Sequence, residues 1–441
     1  MKALSFLGLG ISKLEIGSGY NETEYALEKS PNLLVKTDYF PRFMLEVFKP
    51  VSMMLFVTPE VKARRLAFFY NSLPEHFRRI VTPVDIPNGS SQAELWEVFE
   101  KLVGTVEEGE TIVMDVTHAF RSLPMLALMA AQYLKAAKKV TIEGVYYGAY
   151  EARQENRSPV FDLSPFIALM DWTSALSLFN QTGNGTGIAR ILETAQNKCY
   201  TAGHALDRPT QLSRFGSYLE GIGRDLLHLK ARTAMENIAK LPSALKDAEA
   251  EIANYAPPLA HVLERAVGGI IPLGHADKEQ LNSACIDKQI QIVGWYIEHE
   301  HYVQALGLFR EVLVNMACVA LDVPEPFNYD QYRKSADAFL GYMAAKPEAR
   351  NENMEEKMSQ KTKKQVLEWA DQQLSSTNKQ WWEELGKCFA WQREKRNTLM
   401  HAEMNSKSEN LKPVSLAQDI KSRIDVTAEL LKTIPGSNSS S

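Results

Sequence analysis

Late in the chain Arg396 is followed directly by Asn397 and, five residues on, by His401. On a helix Asn397 and His401 lie four apart and share a face, while Arg396 is turned away by about 100°, a gap its long side chain can span. An imidazole exchanges protons near neutral pH, and a guanidinium is a permanent cation that pairs with phosphate. The reaction that wants both is RNA transesterification: a base draws the proton from a 2′-OH, the alkoxide attacks the adjacent phosphate, and a cation stabilises the charged intermediate. Asn397 would hold either group in place, and the chemistry requires no metal. The same residues on an exposed helix could instead leave Arg396 paired with Glu394 or Glu403 and His401 solvated. Spacing alone does not separate these readings.

A second cluster lies far upstream. Residues 115–124 bring Asp115, Thr117, His118, Phe120, Arg121 and Ser122 to the end of an apolar run, with Pro124 two places further on. Arg121 and the N–H groups of a starting helix favour phosphate oxygens, and His118 and Phe120 can stack or pack on bases. Asp115 suits orienting its neighbours better than meeting an anion. The plainer alternative makes Thr117 and Ser122 helix caps, Arg121 a surface ion pair and Phe120 core. Gly8 and Gly10 follow the first apolar run and allow a tight turn with close backbone approach. A dinucleotide fingerprint would need a third glycine at position 13, which is Lys13. Asn88, Gly89 and Ser90, and later Gly148, supply further small turns on what should be the same rim.

These residues need a scaffold. The first 165 or so residues alternate β-branched runs at 3–9, 51–57, 80–86, 111–116 and 140–147 with helical segments, notably 92–103 and 123–137. That is the pattern of a parallel α/β sheet, whose ligands bind at the carboxyl ends of its strands. After Trp172 strand-like runs vanish and helical periodicity takes over, so the fold class is α/β plus all-α. The expected division is a ligand-sensing α/β domain at 1–175, a linker region at 176–215 centred on the glycine-rich stretch 181–187, and a helical domain at 216–435. A polar insertion at about 323–380, read as short helices with a solvated surface, interrupts the helical domain, and 436–441 is a disordered tail. Trp381, Trp382 and Trp391 read as core. Arg310, on the helix expected to support the Arg396 segment, could touch phosphate or form an ion pair.

With 441 residues and 45% of them hydrophobic, the chain can bury large cores. Forty-nine Lys and Arg against fifty-four Asp and Glu give a formal charge of -5, so no global positive field draws it to nucleic acid or membrane. Any nucleic-acid site must be local. Four cysteines, Cys199, Cys285, Cys318 and Cys388, have neither disulfide-framework nor zinc-ligand spacing. A reduced, cytoplasmic chain without metal, cofactor, signal peptide or membrane contact is expected.

The order of Gly8 and Gly10, residues 87–90, the 115–124 segment, residues 146–149 and the Asp171-Trp172 pair resembles the CARF domains of CRISPR-associated CARF–HEPN proteins of type III systems. The Arg396 to His401 spacing is similar to the Arg-x4-6-His signature of the HEPN ribonucleases that follow CARF domains in this family. The resemblance implies a Rossmann-like CARF domain that binds a cyclic oligoadenylate, with cyclic tetra-adenylate the expected ring, through Gly8, Gly10, Ser12, Thr117, His118 and Arg121. Ala119 stands where the motif usually carries glycine. It further implies a homodimer, with higher oligomers open, in which paired helical domains cleave single-stranded RNA. The rival reading is a CARF-type sensor that regulates transcription or scaffolds an assembly without catalysis. The family also includes members whose sheet domain degrades its own cyclic ligand.

Overall fold

The strand Lys2–Phe6 (β1) carries Ala3, Leu4, Ser5 and Phe6, all buried. Such a run, apolar on both faces, belongs in the middle of a sheet covered by helices on each side. The computed structural model, which describes residues 1–10, 21–27, 30–118, 123–201, 208–260, 262–277, 279–328, 332–350, 358–400 and 413–435, places it there. The chain divides into two units, Met1–Asp171 and Trp172–Ser441.

The first unit adds β2 (Thr23–Leu27), β3 (Ser30–Thr37), β4 (Ser52–Val57), β5 (Val81–Asp85), β6 (Thr111–Asp115), β7 (Thr141–Gly148) and β8 (Arg157–Asp162). Its helices are α1 (Phe40–Phe48), α2 (Pro59–Arg64), α3 (Leu66–Ser72), α4 (Glu75–Arg78), α5 (Gln92–Gly104), α6 (Leu123–Lys138) and the start of α7 (Ser164–Thr182). The strands form one sheet in the order β3-β2-β8-β7-β6-β1-β4-β5. β5, β4, β1, β6 and β7 run parallel, and the chain's progress across the sheet reverses between β1 and β6. Ala3 and Leu7 pack with α1 residues Phe40, Phe43 and Met44 on one face; Leu4 and Phe6 pack on the other with Val98 of α5 and Ala130 of α6.

The sheet also carries three strands that the sequence reading does not place. β8 returns antiparallel to β7, β2 joins β8 in parallel, and β3 closes the edge antiparallel to β2. These three strands escape the sequence reading because β3 and β8 each contain a proline and β2 and β3 mix charges with apolar residues. Such runs are tolerated near an edge and do not resemble the buried middle strands.

The second unit is helical: the rest of α7, then α8 (Thr186–Thr201), α9 (Leu212–Leu227), α10 (Ala231–Tyr255), α11 (Pro257–Ala260), α12 (Leu263–Gly268), α13 (Ser283–Glu298), α14 (Tyr302–Ala320), α15 (Lys334–Ala344), α16 (Gln360–Leu374), α17 (Lys379–Met400) and α18 (Pro413–Lys432). By length and composition α14 could cross a membrane, but here it is the apolar spine of this bundle, buried over most of its length.

The region 176–215, expected as a linker, is mostly helical and contributes Ile188, Leu192 and Leu212 to this core. Its glycines serve packing. A Cβ on Gly223 of α9 would lie 2.2 Å from the Gly183 carbonyl oxygen, and one on Gly185 would lie 2.6 Å from that of Leu219. The turn between α7 and α8 therefore presses backbone to backbone on α9. The 323–380 stretch is also corrected: it is no solvated insertion, because α15 buries Ala336, Phe339, Leu340 and Met343, and α16 buries Val366 and Ala370. Phe339 meets Trp382 edge-on at 4.9 Å. The apolar residues keep helical spacing, which the surrounding charges mask. The tail at 436–441 lies outside the described residues.

Candidate functional site

In the first unit the switch point between β1 and β6 gathers one group of candidates. Val113 and Asp115 share a face of β6 by strand alternation, and Ser5 occupies the matching face of β1. Ser5 donates its hydroxyl to the Asp115 carboxylate, whose Oδ1 also accepts from the Thr117 backbone N–H at 2.7 Å. Asp115 is fully buried. Burial lifts its carboxyl to about 6 against the pull of those hydrogen bonds. It orients neighbours, as the sequence suggested. Thr117 passes the tether on: its Oγ1 accepts from the Gly148 N–H at 2.9 Å and ties the β6 loop to the end of β7. His118 follows with its Nε2 sequestered from solvent, and burial pushes its imidazole down to about 4, so it is neutral at pH 7.

The turn after β1 lies beside this node. Gly10 has φ of +82°, a left-handed conformation that favours glycine, so its type has a backbone reason. The buried Arg65, at the junction of α2 and α3, donates Nε–H to the Leu9 carbonyl at 2.9 Å and pins that turn. Sequence reasoning missed Arg65, because an arginine between two short helices carries no motif. Gly148 has a purely structural reason to be glycine: a Cβ there would sit 2.4 Å from Phe40 Cδ2.

The structure does not bring every expected residue to this point. Asn88, Gly89 and Ser90 follow β5, two strands from β1 across β4, roughly 10 Å away by strand spacing. Their loop leads into the N-cap of α5: Ser91 Oγ accepts from the Glu94 N–H at 3.2 Å, and the Glu94 carboxylate accepts from the Ser90 N–H at 2.8 Å. Gly89, at φ of +73°, makes the bend. Ser12, Phe120, Arg121 and Ser122 lie outside the described residues.

In the second unit Arg396 and Asn397 stand in the last turn of α17. Arg396 Nη2 donates to Asn397 Oδ1 at 2.9 Å. Glu394 lies 3.6 Å from Lys395. The pairing of Arg396 with Glu394 that was the plainer alternative is not formed. His401 and Glu403 lie outside the described residues. Arg310 of α14 is committed to Glu311 at 2.7 Å and Asp337 at 2.6 Å, which removes it as a phosphate contact. Trp381 and Trp382 are buried as expected, and Trp391 packs against the same core.

The first unit is thus defined by its strand order as a Rossmann-like domain, a fold whose ligands bind at its strand ends. Residues 3–151 match the family model described as CRISPR system endoribonuclease Csx1, CARF domain. CRISPR-associated protein MJ1674 of Methanocaldococcus jannaschii is 22% identical over 255 residues, which cover 56% of this chain and 36% of that protein. The matched part thus spans about a third of the relative's length. A solved structure of Enterococcus italicus Csm6 bound to cyclic hexa-2′-fluoro-hexa-dAMP aligns with a TM-score of 0.44 at 10% identity, covering 98% of this chain and 94% of its own. Most of the first unit is therefore similar to the CARF domain of CRISPR-associated proteins.

Proposed function

We propose that the chain is an endoribonuclease that cleaves single-stranded RNA when a cyclic oligoadenylate occupies the CARF crevice. The observation that carries this reading is the pairing of a CARF domain over residues 3–151 with an arginine held by Asn397 at the end of α17, five residues before His401. In the crevice, the turn at Gly8 to Gly10 and the loop at Thr117 and His118 would meet the ligand, with Arg121 on its phosphates and the neutral His118 ring against a base. In the helical unit, His401 takes the proton from a 2′-OH, the oxygen attacks phosphorus, and Arg396 stabilises the added charge. The departing 5′-oxygen takes up a proton, leaving a 2′,3′-cyclic phosphate. One chain supplies one such set, so the reading includes a homodimer that joins two. An exposed apolar face on α6, with Met125, Met129 and Tyr133 at helical spacing, supports that pairing.

Two variants test the reading. His401→Ala should abolish RNA cleavage and leave cyclic oligoadenylate affinity at the parent value. Arg121→Ala should weaken the ligand by about tenfold or more, the scale of a charge-assisted phosphate contact. Parent-rate cleavage by both variants under saturating ligand would sink the site assignments. Duplex DNA binding in a gel shift, without RNA cleavage, would favour the regulator instead.

A further inference from the structure

Gln392 lies four residues before Arg396 on α17 and is completely buried. Its Nε2 donates to the Leu306 carbonyl of α14 at 2.8 Å. A carbonyl only accepts, so Nε2 must be the atom facing Leu306, and Oε1 is forced to the opposite side. There Oε1 is buried and has no hydrogen-bond partner; Arg396 Nε is likewise buried without one among the described residues. Residues four apart on a helix have Cβ atoms about 5–6 Å from each other, within joint reach of a glutamine and an arginine. One orphan is an acceptor and the other a donor. Buried polar groups of native proteins are almost always paired, so two complementary orphans on one face call for an arrangement in which they meet.

We infer that Gln392 is the positioning residue of Arg396: in the cleavage-competent state its Oε1 accepts from Arg396 Nε–H. The guanidinium is then held from behind, and both Nη groups face the phosphate. The hold of Asn397 on Nη2 belongs to the resting state. The Leu306 bond keeps Gln392 fixed to α14, so the arginine is aimed by the bundle core instead of by its own solvated rotamers. This inference rests on the ribonuclease reading.

The test is steady-state cleavage of labelled RNA by the full chain with cyclic oligoadenylate, alongside thermal unfolding of every variant. Gln392→Leu removes the acceptor and should lower kcat by about tenfold with KM nearly unchanged, as for an interaction realised in the transition state. Gln392→Glu keeps an acceptor but loses the donor to Leu306, and should recover most of that loss. In an Arg396→Lys background, which lacks the Nε donor, Gln392→Leu should cost nothing further. Equal losses in the Leu and Glu variants, a parent-like kcat for Gln392→Leu, or an undiminished cost in the lysine background would each overturn the proposal. Should Gln392→Leu fail to fold, the comparison of Gln392→Glu in the parent and lysine backgrounds decides it: Gln392→Glu must then stay near the parent rate in the first and change nothing in the second. A parent that cleaves no RNA, or Arg396→Ala cleaving like the parent, would refute the ribonuclease reading itself.

Discussion

A carboxylate sealed inside a sheet is costly unless its neighbours satisfy it, and at the β1/β6 switch point those neighbours also tie adjacent strand ends together. Asp115 takes hydrogen bonds from Ser5 and Thr117, and Thr117 in turn holds Gly148. The node leaves a pH signature. Asp115 titrates at about 6 against an ordinary 3.8, so its neutral form is favoured on folding; the stability it lends is full below pH 3.8 and is lost as pH rises towards 6. His118, at about 4 against 6.5, has the opposite sign: its contribution is full above pH 6.5 and is lost as pH falls towards 4. Asp115→Asn should therefore leave a first unit whose stability, relative to the parent, rises between pH 4 and 6 by on the order of 2 kcal/mol. His118→Gln should show the reverse slope. Urea unfolding across pH 4 to 7 checks both, and two variants that track the parent profile would contradict the assignment.

At the scale of elements, α6 faces two ways. Ala127, Ala130, Ala131 and Leu134 line the core, while Met125, Met129 and Tyr133 are exposed at 72%, 61% and 49%. Trp96 and Phe99 of α5 continue the apolar surface, with Phe99 and Tyr133 ring centroids 5.4 Å apart. If this face joins two copies, Met129→Glu places a charge in each partner at once. It should weaken the dimer by roughly tenfold or more in sedimentation velocity and leave the monomer folded. A parent that is monomeric at high concentration, or a variant as dimeric as the parent, would remove this face from the assembly. The middle strands and the helices Gln92–Gly104 and Leu123–Lys138 were legible in the sequence because burial on both faces or one face imposes a clean period. The glycines at 183 and 185 were misread because a glycine that permits helices to touch looks the same in sequence as one that permits a chain to swing. Asn88 to Ser90 likewise read as a ligand turn, whereas Ser91 and Glu94 show a helix cap.

For the molecule as a whole, the order of an α/β unit before a helical one could be read directly, since the loss of strand periodicity near residue 172 coincides with the unit boundary. The Thr117 and Gly148 pairing and the Arg396 and Asn397 pairing join residues the sequence had singled out. Arg65 and Gln392 were not legible. Each bonds a backbone carbonyl distant in sequence, and such a contact leaves no spacing to recognise. In the proposed function a messenger bound in the sheet unit licenses RNA scission in the helical one. The most direct measurement incubates end-labelled single-stranded RNA and the full chain with a panel of cyclic oligoadenylates, in EDTA, and analyses the product ends. Cleavage with one ring size and not without it, leaving 2′,3′-cyclic phosphate and 5′-hydroxyl ends, is the expected result. Intact RNA with every ring, or cleavage that proceeds equally without any, would contradict it.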